Sequence, residues 1–388
     1  MGRSASNAAP VVAGEVRRGT SGAVRAAHRP AGLPTRRAAL VPVMAFLALS
    51  PTLVGAQPGA TRVPPRVHVL ATGGTISNLG DDARRTGTEL VGGIPGIGEM
   101  ATVTVEQFSN VASSSVTQAM WRALAGRIRQ LQRDANAPAG YVITHGTDTM
   151  EETAYFLSLT VGGCEPVIVT GAMRQANAVG ADGPANLRNS IRTAVAPAAR
   201  GRGTMVLMND ELFAARDVTK SNTTRLNAFT APDAGVLGLA DPDTVVFHRP
   251  APACAAPRYD LDSLGEFPRV DVVYAYIGAD SVAVDALVDA GARGLVLAGV
   301  GRGGTTPAMS RALRRATQRG VTVVISNRTG SGRVGAGSAP DSLATLPSGR
   351  GATIGATDLN PQKARVLLML ALAARTDARG IAELFNAR

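Results

Sequence analysis

Two threonines, one aspartate and one lysine stand in motifs that could supply a hydroxyl nucleophile and a base to activate it. Thr75 follows two glycines in the run ATGGTI, Thr147 and Asp148 lie in HGTDTMEE, and Lys220 lies in RDVTKSNT. The first two runs directly follow predicted strands, and parallel sheets bind ligands at the carboxyl ends of their strands. A hydroxyl becomes an effective nucleophile when a neighbouring base takes its proton. These residues predict a threonine nucleophile activated by a lysine.

Lys220 stands out by composition. Of 40 basic residues, 38 are arginines, and the two lysines are Lys220 and Lys363. Arginine does not deprotonate in proteins, whereas a desolvated lysine can act as a base. An ordinary surface lysine is the alternative interpretation of Lys220. Separately, the pairs Asp148/Glu151 and Thr149/Glu152 resemble capping pairs and predict a helix start beside Thr147.

Other chemistries have little support. Residues 299–304 (GVGRGG) match a dinucleotide fingerprint, but the next predicted strand ends in ISNR, without an acid to hold a ribose, so a tight turn is expected there. Neither lysine follows a phosphate-binding Gly-x-x-x-x-Gly, and no Gly-x-Ser-x-Gly occurs. The four histidines lack metal-ligand spacing. We therefore expect no metal and no organic cofactor.

Short Val/Ile/Leu runs alternate with helix-period segments, which predicts an α/β fold with a largely parallel sheet covered on both faces. The predicted strands are Val67–Ala71, Tyr141–Thr144, Val167–Thr170, Thr204–Met208, Val270–Tyr276, Gly294–Ala298 and Val321–Ile325. The predicted helices are Gln118–Arg133, Glu151–Thr160, Gly183–Ala196, Ser281–Ala290, Ala308–Arg319 and Gln362–Arg375, the last with Asn360 as cap and Pro361 in its first turn.

The chain is expected to divide into two domains. Residues 248–268 are rich in Pro and Ala and lack a helical or strand period. We predict a larger amino-terminal domain over 61–248, a linker over 249–268 and a smaller carboxy-terminal α/β domain over 269–388. Residues 330–351 are rich in Gly and Ser and are expected to form a mobile loop.

Residues 1–56 resemble a targeting segment. Arg36 and Arg37 precede the apolar run AALVPVMAFLAL, and small residues follow at 54–56. This is the order of a secretory signal peptide, too short to span a bilayer, so we expect a periplasmic or secreted protein with no membrane association after its removal. A disordered tail with a membrane anchor is the alternative. The segment carries +6 of the formal net charge of +11, and no basic run interleaved with aromatics follows it, so nucleic-acid binding is not expected.

Together with further runs, the threonine and lysine motifs resemble the bacterial type II L-asparaginase family, in order, over essentially the whole mature chain. The further runs are GAMR (171–174), ADGPANL (181–187), MND (208–210) and LNPQKARVLL (359–368). The resemblance implies two-domain α/β subunits in a homotetramer, with each active site completed by a neighbouring subunit. It also implies hydrolysis of L-asparagine to L-aspartate and ammonia through an acyl-enzyme.

The resemblance assigns roles to individual residues. Thr75 is implied as the primary nucleophile, and Thr147, Asp148 and Lys220 as a second group. In that group, Lys220 activates Thr147 or its bound water, and Asp148 positions the substrate α-amino group. Ser113 matches the serine that binds the substrate α-carboxylate, and Ser114 stands where the family usually has glutamine.

Besides Ser114, this chain departs from the family pattern at three places. The lid tyrosine expected a dozen residues after Thr75 is missing, and the region has Thr86 and Thr88 instead. The partner glutamate expected near 335–345 is missing, and Asp341 is the one acidic residue there. Finally, Cys164 matches one half of the family's disulfide but the other half is missing, so pairing with Cys254 stays open.

The sequence is compatible with two alternative functions. The nearest is a broad-specificity glutaminase-asparaginase that also accepts L-glutamine, because a pocket discriminates one methylene by only ~1–3 kcal/mol. The other is an amino-acid-binding protein that kept Thr147 and Lys220 but has impaired turnover.

Overall fold

The computed structural model describes residues 63–81, 83–254, 256–335 and 351–387. The described strands are β1 Arg66–Gly73, β2 Asn78–Gly80, β3 Ala83–Arg84, β4 Thr102–Val111, β5 Gly140–Thr144, β6 Val167–Thr170, β7 Thr204–Met208, β8 Glu211–Ala214, β9 Thr219–Lys220, β10 Phe229–Thr230, β11 Gly238–Ala240, β12 Val245–Phe247, β13 Val270–Tyr274, β14 Gly294–Gly299, β15 Thr322–Asn327 and β16 Thr353–Gly355. The described helices are α1 Gly87–Gly92, α2 Ile97–Met100, α3 Gln118–Gln132, α4 Met150–Thr160, α5 Gly183–Val195, α6 Val282–Asp289, α7 Pro307–Gln318, α8 Pro361–Ala373 and α9 Ala378–Asn386, with 3-10 turns at Ser113–Ser115 and Pro197–Ala199.

Two sheets organise the fold. The larger has the order β12-β11-β8-β7-β6-β5-β1-β4 and is parallel from β7 to β4, while β7, β8, β11 and β12 pair antiparallel. The smaller sheet, β13-β14-β15-β16, is parallel throughout. The predicted α/β class with a larger first and smaller second sheet is confirmed. Since β1 lies between β4 and β5, the loops that follow these three strands meet at one edge.

The long strand β4 was not predicted from the sequence. It is the edge strand beside β1, and its ten residues TVTVEQFSNV are mostly half-buried. An edge strand can carry polar residues on its open side, so it lacks the continuous apolar run that identified the central strands.

The two sheets share one hydrophobic core. Phe156 of α4, Val296 of β14 and Leu368 of α8 belong to a single buried cluster. Helix α8 begins as predicted, because the Asn360 side chain accepts a hydrogen bond from the Lys363 amide at 3.0 Å and Pro361 occupies the first turn. This helix therefore joins the carboxy-terminal sheet to helix α4 of the larger sheet.

The segment between the sheets lies against α3. Between Phe247 and Val270, the described residues form no helix or strand. Arg122 of α3 donates hydrogen bonds to main-chain oxygens of Leu261, Leu264 and Gly265. Apolar side chains of this segment are buried in the shared core, so it is fastened along its length to the body of the protein.

Cys164 and Cys254 form a disulfide that closes a loop of 90 residues. The bond fastens the segment after β12 to the turn before β6, and it resolves the pairing that the sequence left open. Residues 299–304 form the expected tight turn, in which Val300 and Gly304 pair through two main-chain hydrogen bonds. The predicted targeting segment and Asp341 lie outside the described residues.

Candidate active site

Three loops meet in close backbone contact at the carboxyl edge of β4, β1 and β5. A Cβ atom on Gly74 would overlap the backbone of Gly146, and one on Gly146 would lie 2.8 Å from the side chain of Ser113. Gly74 also has a φ of +88°, a region that favours glycine. Thr75 and Thr147 each directly follow this contact, so the structure brings together the loops of both predicted threonines.

The predicted second group is assembled. Lys220 Nζ donates a hydrogen bond to Thr147 Oγ1 at 2.9 Å and to Asp148 Oδ1 at 2.6 Å. Thr147 is 5% exposed and the Lys220 side chain 14%, whereas the Asp148 side chain is 74% exposed. The ammonium is therefore largely shielded, while the carboxylate remains accessible to an incoming cation.

Lys220 reaches this place from the β9–β10 hairpin. It pairs with Phe229 across the two antiparallel strands. A groove of about 450 Å³ runs past Asp148, Glu151 and Lys220. The groove gives a small ligand access to the carboxylate and the ammonium together.

The remaining predicted residues take different positions. Thr75 is half-buried, and its hydroxyl makes no hydrogen bond to another described residue. Ser113 is buried against Gly146, and its main-chain oxygen accepts from Thr149 Oγ1 at 2.9 Å. Ser114 is exposed. Thr86, near the place of the missing lid tyrosine, caps α1 in a reciprocal pair with Glu89.

The predicted capping pairs beside Thr147 are wrong. Helix α4 does begin at Met150, but the Thr149 side chain makes no capping hydrogen bond. Its hydroxyl donates instead to the main-chain oxygen of Ser113. Glu151 instead accepts from Asn360 Nδ2 at 3.1 Å and Gln362 Nε2 at 2.8 Å. The carboxylate thus fastens α4 to the start of α8.

A buried hydrogen-bond chain lies behind the loop of Thr147. Trp121 Nε1 donates to Thr153 Oγ1 at 2.8 Å, so the Thr153 hydroxyl proton is free to donate to His145 Nε2 at 2.9 Å. His145 Nδ1 then donates to the main-chain oxygen of Gly146 at 2.7 Å. Burial lowers the pKa of His145, in keeping with a neutral imidazole in this chain. Trp121 and Thr153 were not predicted, because nothing in their sequence neighbourhood distinguishes them from ordinary core residues.

Lys363 was also missed. It is 1% exposed, and burial lowers its pKa to about 8 even though Glu151 and Asp217 raise it. Lys220 was chosen because lysine is rare in this chain. The same argument applies to Lys363 and could have identified it as a functional candidate.

Within the described ranges, no group of acidic, histidine and cysteine side chains could hold a metal ion, and no helix is long and apolar enough to cross a membrane. The fold and site together define a class: two-domain α/β proteins with threonine, aspartate and lysine side chains at the carboxyl edge of a parallel sheet.

Comparison with known proteins identifies the family. Residues 66–253 match the family described as "Asparaginase, N-terminal", and residues 269–385 match "Glutaminase/Asparaginase C-terminal domain". The chain is 40% identical to L-asparaginase 2 of Bacillus subtilis (83% of this chain, 86% of that protein) and 40% identical to L-asparaginase 2 of Escherichia coli (84% and 94%). It is similar to the crystal structure of a probable cytoplasmic L-asparaginase from Campylobacter jejuni, with a TM-score of 0.76, 38% identity, and coverage of 84% of this chain and 100% of that one. The chain belongs to the asparaginase family of enzymes.

Proposed function

We propose that this enzyme hydrolyses L-asparagine to L-aspartate and ammonia, with Thr75 as nucleophile and Thr147, Asp148 and Lys220 as the second catalytic group. The observation that carries the proposal is the contact of Lys220 Nζ with Thr147 Oγ1 and Asp148 Oδ1, beside the loop of Thr75. It is supported by the Gly74–Gly146 contact, which holds the two threonine loops together.

The reaction has two halves. Thr75 Oγ bonds to the side-chain carbonyl carbon of asparagine, and its proton passes to the amide nitrogen. The C–N bond breaks, ammonia leaves and an ester remains on Thr75. Water activated by Thr147 and Lys220 then attacks the ester carbon, which releases L-aspartate and returns a proton to Thr75 Oγ. Backbone amides that stabilise the oxyanion contribute about 3–4 kcal/mol per donor in other enzymes.

Substrate recognition is proposed for two further groups. The exposed carboxylate of Asp148 attracts the substrate α-amino group, and Ser113 binds the α-carboxylate. Ser114 contributes to the outer part of the site. Because Ser114 is exposed and the groove is open, L-glutamine is the second candidate substrate.

We also propose that the enzyme is an exported homotetramer. A homotetramer is supported by apolar side chains left exposed around β13, of which Ile277 is 100% and Tyr276 56% exposed. Export is supported by the disulfide, since such bonds persist in oxidising compartments. Light scattering on the purified protein measures the subunit number.

We further propose two domains, over 61–248 and 269–388, joined by residues 249–268. The division of the fold into two sheets supports this proposal.

Ammonia release from asparagine and glutamine tests the mechanism. Thr75→Ala and Lys220→Ala are each expected to lower kcat by at least about 1,000-fold, as removal of catalytic groups does in other hydrolases. Thr102→Ala is the matched control, because Thr102 is exposed at the opposite, amino-terminal end of β4.

Each contrary result has a distinct meaning. Binding of asparagine by the wild type without ammonia release would favour the amino-acid-binding protein. Full activity in Thr75→Ala would exclude Thr75 as the nucleophile. Equal kcat/KM for both amides would favour the glutaminase-asparaginase.

A further inference from the structure

The segment that leads into Lys220 is fixed by the start of helix α8. Lys363 Nζ donates to the main-chain oxygen of Arg216 at 2.9 Å and to that of Val218. An ammonium buried this completely is tolerated where hydrogen bonds and opposite charges compensate for lost hydration. These two carbonyl groups lie four and two residues before Lys220, so Lys363 holds the backbone immediately before the catalytic lysine.

Two neighbours of Lys363 hold the same segment. Arg216 makes a two-pronged ion pair with Asp358, at 2.7 and 3.2 Å. Asn360 Nδ2 donates to Thr219 Oγ1 at 3.4 Å. Main-chain or side-chain groups of 216, 218 and 219 are therefore all bound by residues 358–363.

The same turn of α8 also reaches the other half of the site. Asn360 and Gln362 donate to Glu151, which lies four residues after Thr147 in the first turn of α4. Asn360 thus bridges the elements that carry Lys220 and Thr147. Among the described residues, this turn makes no hydrogen bond to the side chain of Lys220 or Thr147, so its hydrogen bonds reach them through neighbouring residues.

The residue type at 363 fits this role. Lysine carries a compact charge with three donors, whereas the planar guanidinium of arginine needs more room. A chain that uses arginine at 38 of 40 basic positions retains lysine where the donor is enclosed between two carbonyl groups.

We propose that Lys363 is a positioning residue, which fixes the carbonyl groups of Arg216 and Val218 and thereby sets Lys220 against Thr147 and Asp148. The inference rests on the proposed catalytic role of Lys220. It concerns how the start of helix α8 supports the second catalytic group of the same subunit.

A double-mutant cycle tests the coupling in the full chain. Lys363→Met, and Lys363→Gln as a variant that keeps a donor, are expected to lower kcat by about 10- to 100-fold with KM changed less than about 3-fold, as small misplacements of a catalytic group do. In the Lys220→Ala background, the same substitutions are expected to cost less than about 3-fold, because no catalytic lysine is left to position.

A spectroscopic readout separates positioning from general damage. With two lysines in the chain, ¹³Cε-lysine labelling gives one resonance for each, and Lys220→Ala identifies that of Lys363. We expect the Lys220 resonance to shift and broaden in Lys363→Gln.

The contrary outcomes are distinct. Equal losses in both backgrounds, or an unchanged Lys220 resonance, would overturn the positioning role. Failure of both Lys363 variants to fold would also overturn it, because Lys363 would then be a requirement of the fold. Full activity of Lys220→Ala alone would instead refute the proposed role of Lys220.

Discussion

At the scale of single residues, the site requires a glycine at position 74, where a Cβ atom would not fit. Gly74 combines a φ of +88° with direct contact against the backbone of Gly146. Gly74→Ala is therefore expected to separate the two threonine loops and lower kcat/KM by at least about 100-fold, because catalysis is sensitive to displacements of about 1 Å. Steady-state ammonia release measures this loss.

Gly291→Ala is the matched control for backbone strain. Its φ of +86° is nearly the same, but a Cβ atom there would meet nothing within 4 Å. Both variants are expected to lose about 1–2 kcal/mol of unfolding free energy from the left-handed backbone, and Gly74→Ala a further amount from the overlap with Gly146. If Gly291→Ala lost as much activity as Gly74→Ala, the loop contact would not be what matters.

The sequence predicted the side chains that meet around Lys220 better than those that support them. Thr147, Asp148 and Lys220 stand in dense motifs, and the structure brings all three into contact. Glu151 was misassigned to a cap, because its true partners lie more than 200 residues away. Local spacing cannot identify a partner that only the docking of two sheets brings near.

At the scale of elements, central strands and long helices were predictable, since buried parallel strands have continuous apolar runs. The edge strand β4 was not, although it leads into the 3-10 turn that carries Ser113. The predicted helix start at Asn360 was correct. The contact of Asn360 with Glu151 was not predicted. The cap hydrogen bond from the Lys363 amide to Asn360 is local in sequence, whereas the hydrogen bond from Asn360 to Glu151 spans 209 residues.

The ion pair between Arg216 and Asp358 joins the segment before β9 to the start of α8. It makes the free energy of unfolding dependent on pH. Burial alone would raise the pKa of Asp358, but the hydrogen bonds and charge of Arg216 lower it to about 2. A carboxyl whose pKa falls on folding stabilises the native state above its unfolded pKa and ceases to do so as pH falls through its folded pKa. Asp358→Asn is therefore expected to lower the unfolding free energy at pH 6 by about 2 kcal/mol, with the difference from wild type shrinking between about pH 4 and 2.

Denaturant unfolding at several pH values measures this difference. Asp285→Asn is the matched control, because Asp285 forms a comparable two-oxygen pair with Arg315 at an exposed position. We expect a much smaller effect there, since solvent screens exposed pairs. Equal effects of the two substitutions would contradict a special contribution from the docked pair.

At the scale of the whole molecule, the two sheets are held together by a shared core and by the segment between them. Phe156 and Leu368 lie in one cluster although they belong to different halves of the chain. The joining segment is fastened to α3 by Arg122 and to the turn before β6 by Cys254. Its lack of periodicity correctly indicated that its described residues form no helix or strand. It gave no sign of these attachments, which come from side chains of distant elements.

The disulfide should therefore stabilise the whole protein. Cross-linking Cys164 to Cys254 removes freedom from the unfolded chain, and a native disulfide of this kind contributes about 2–4 kcal/mol. Cys164→Ser, Cys254→Ser and the double variant are expected to lose the same unfolding free energy, because each breaks the same bond. A reductant should lower the melting temperature of the wild type to that of the double variant and leave the double variant unchanged. Activity at 25 °C should persist in all of them, since the bond lies outside the site residues. An unchanged melting temperature in the double variant would show that the segment after β12 is held by its packing alone.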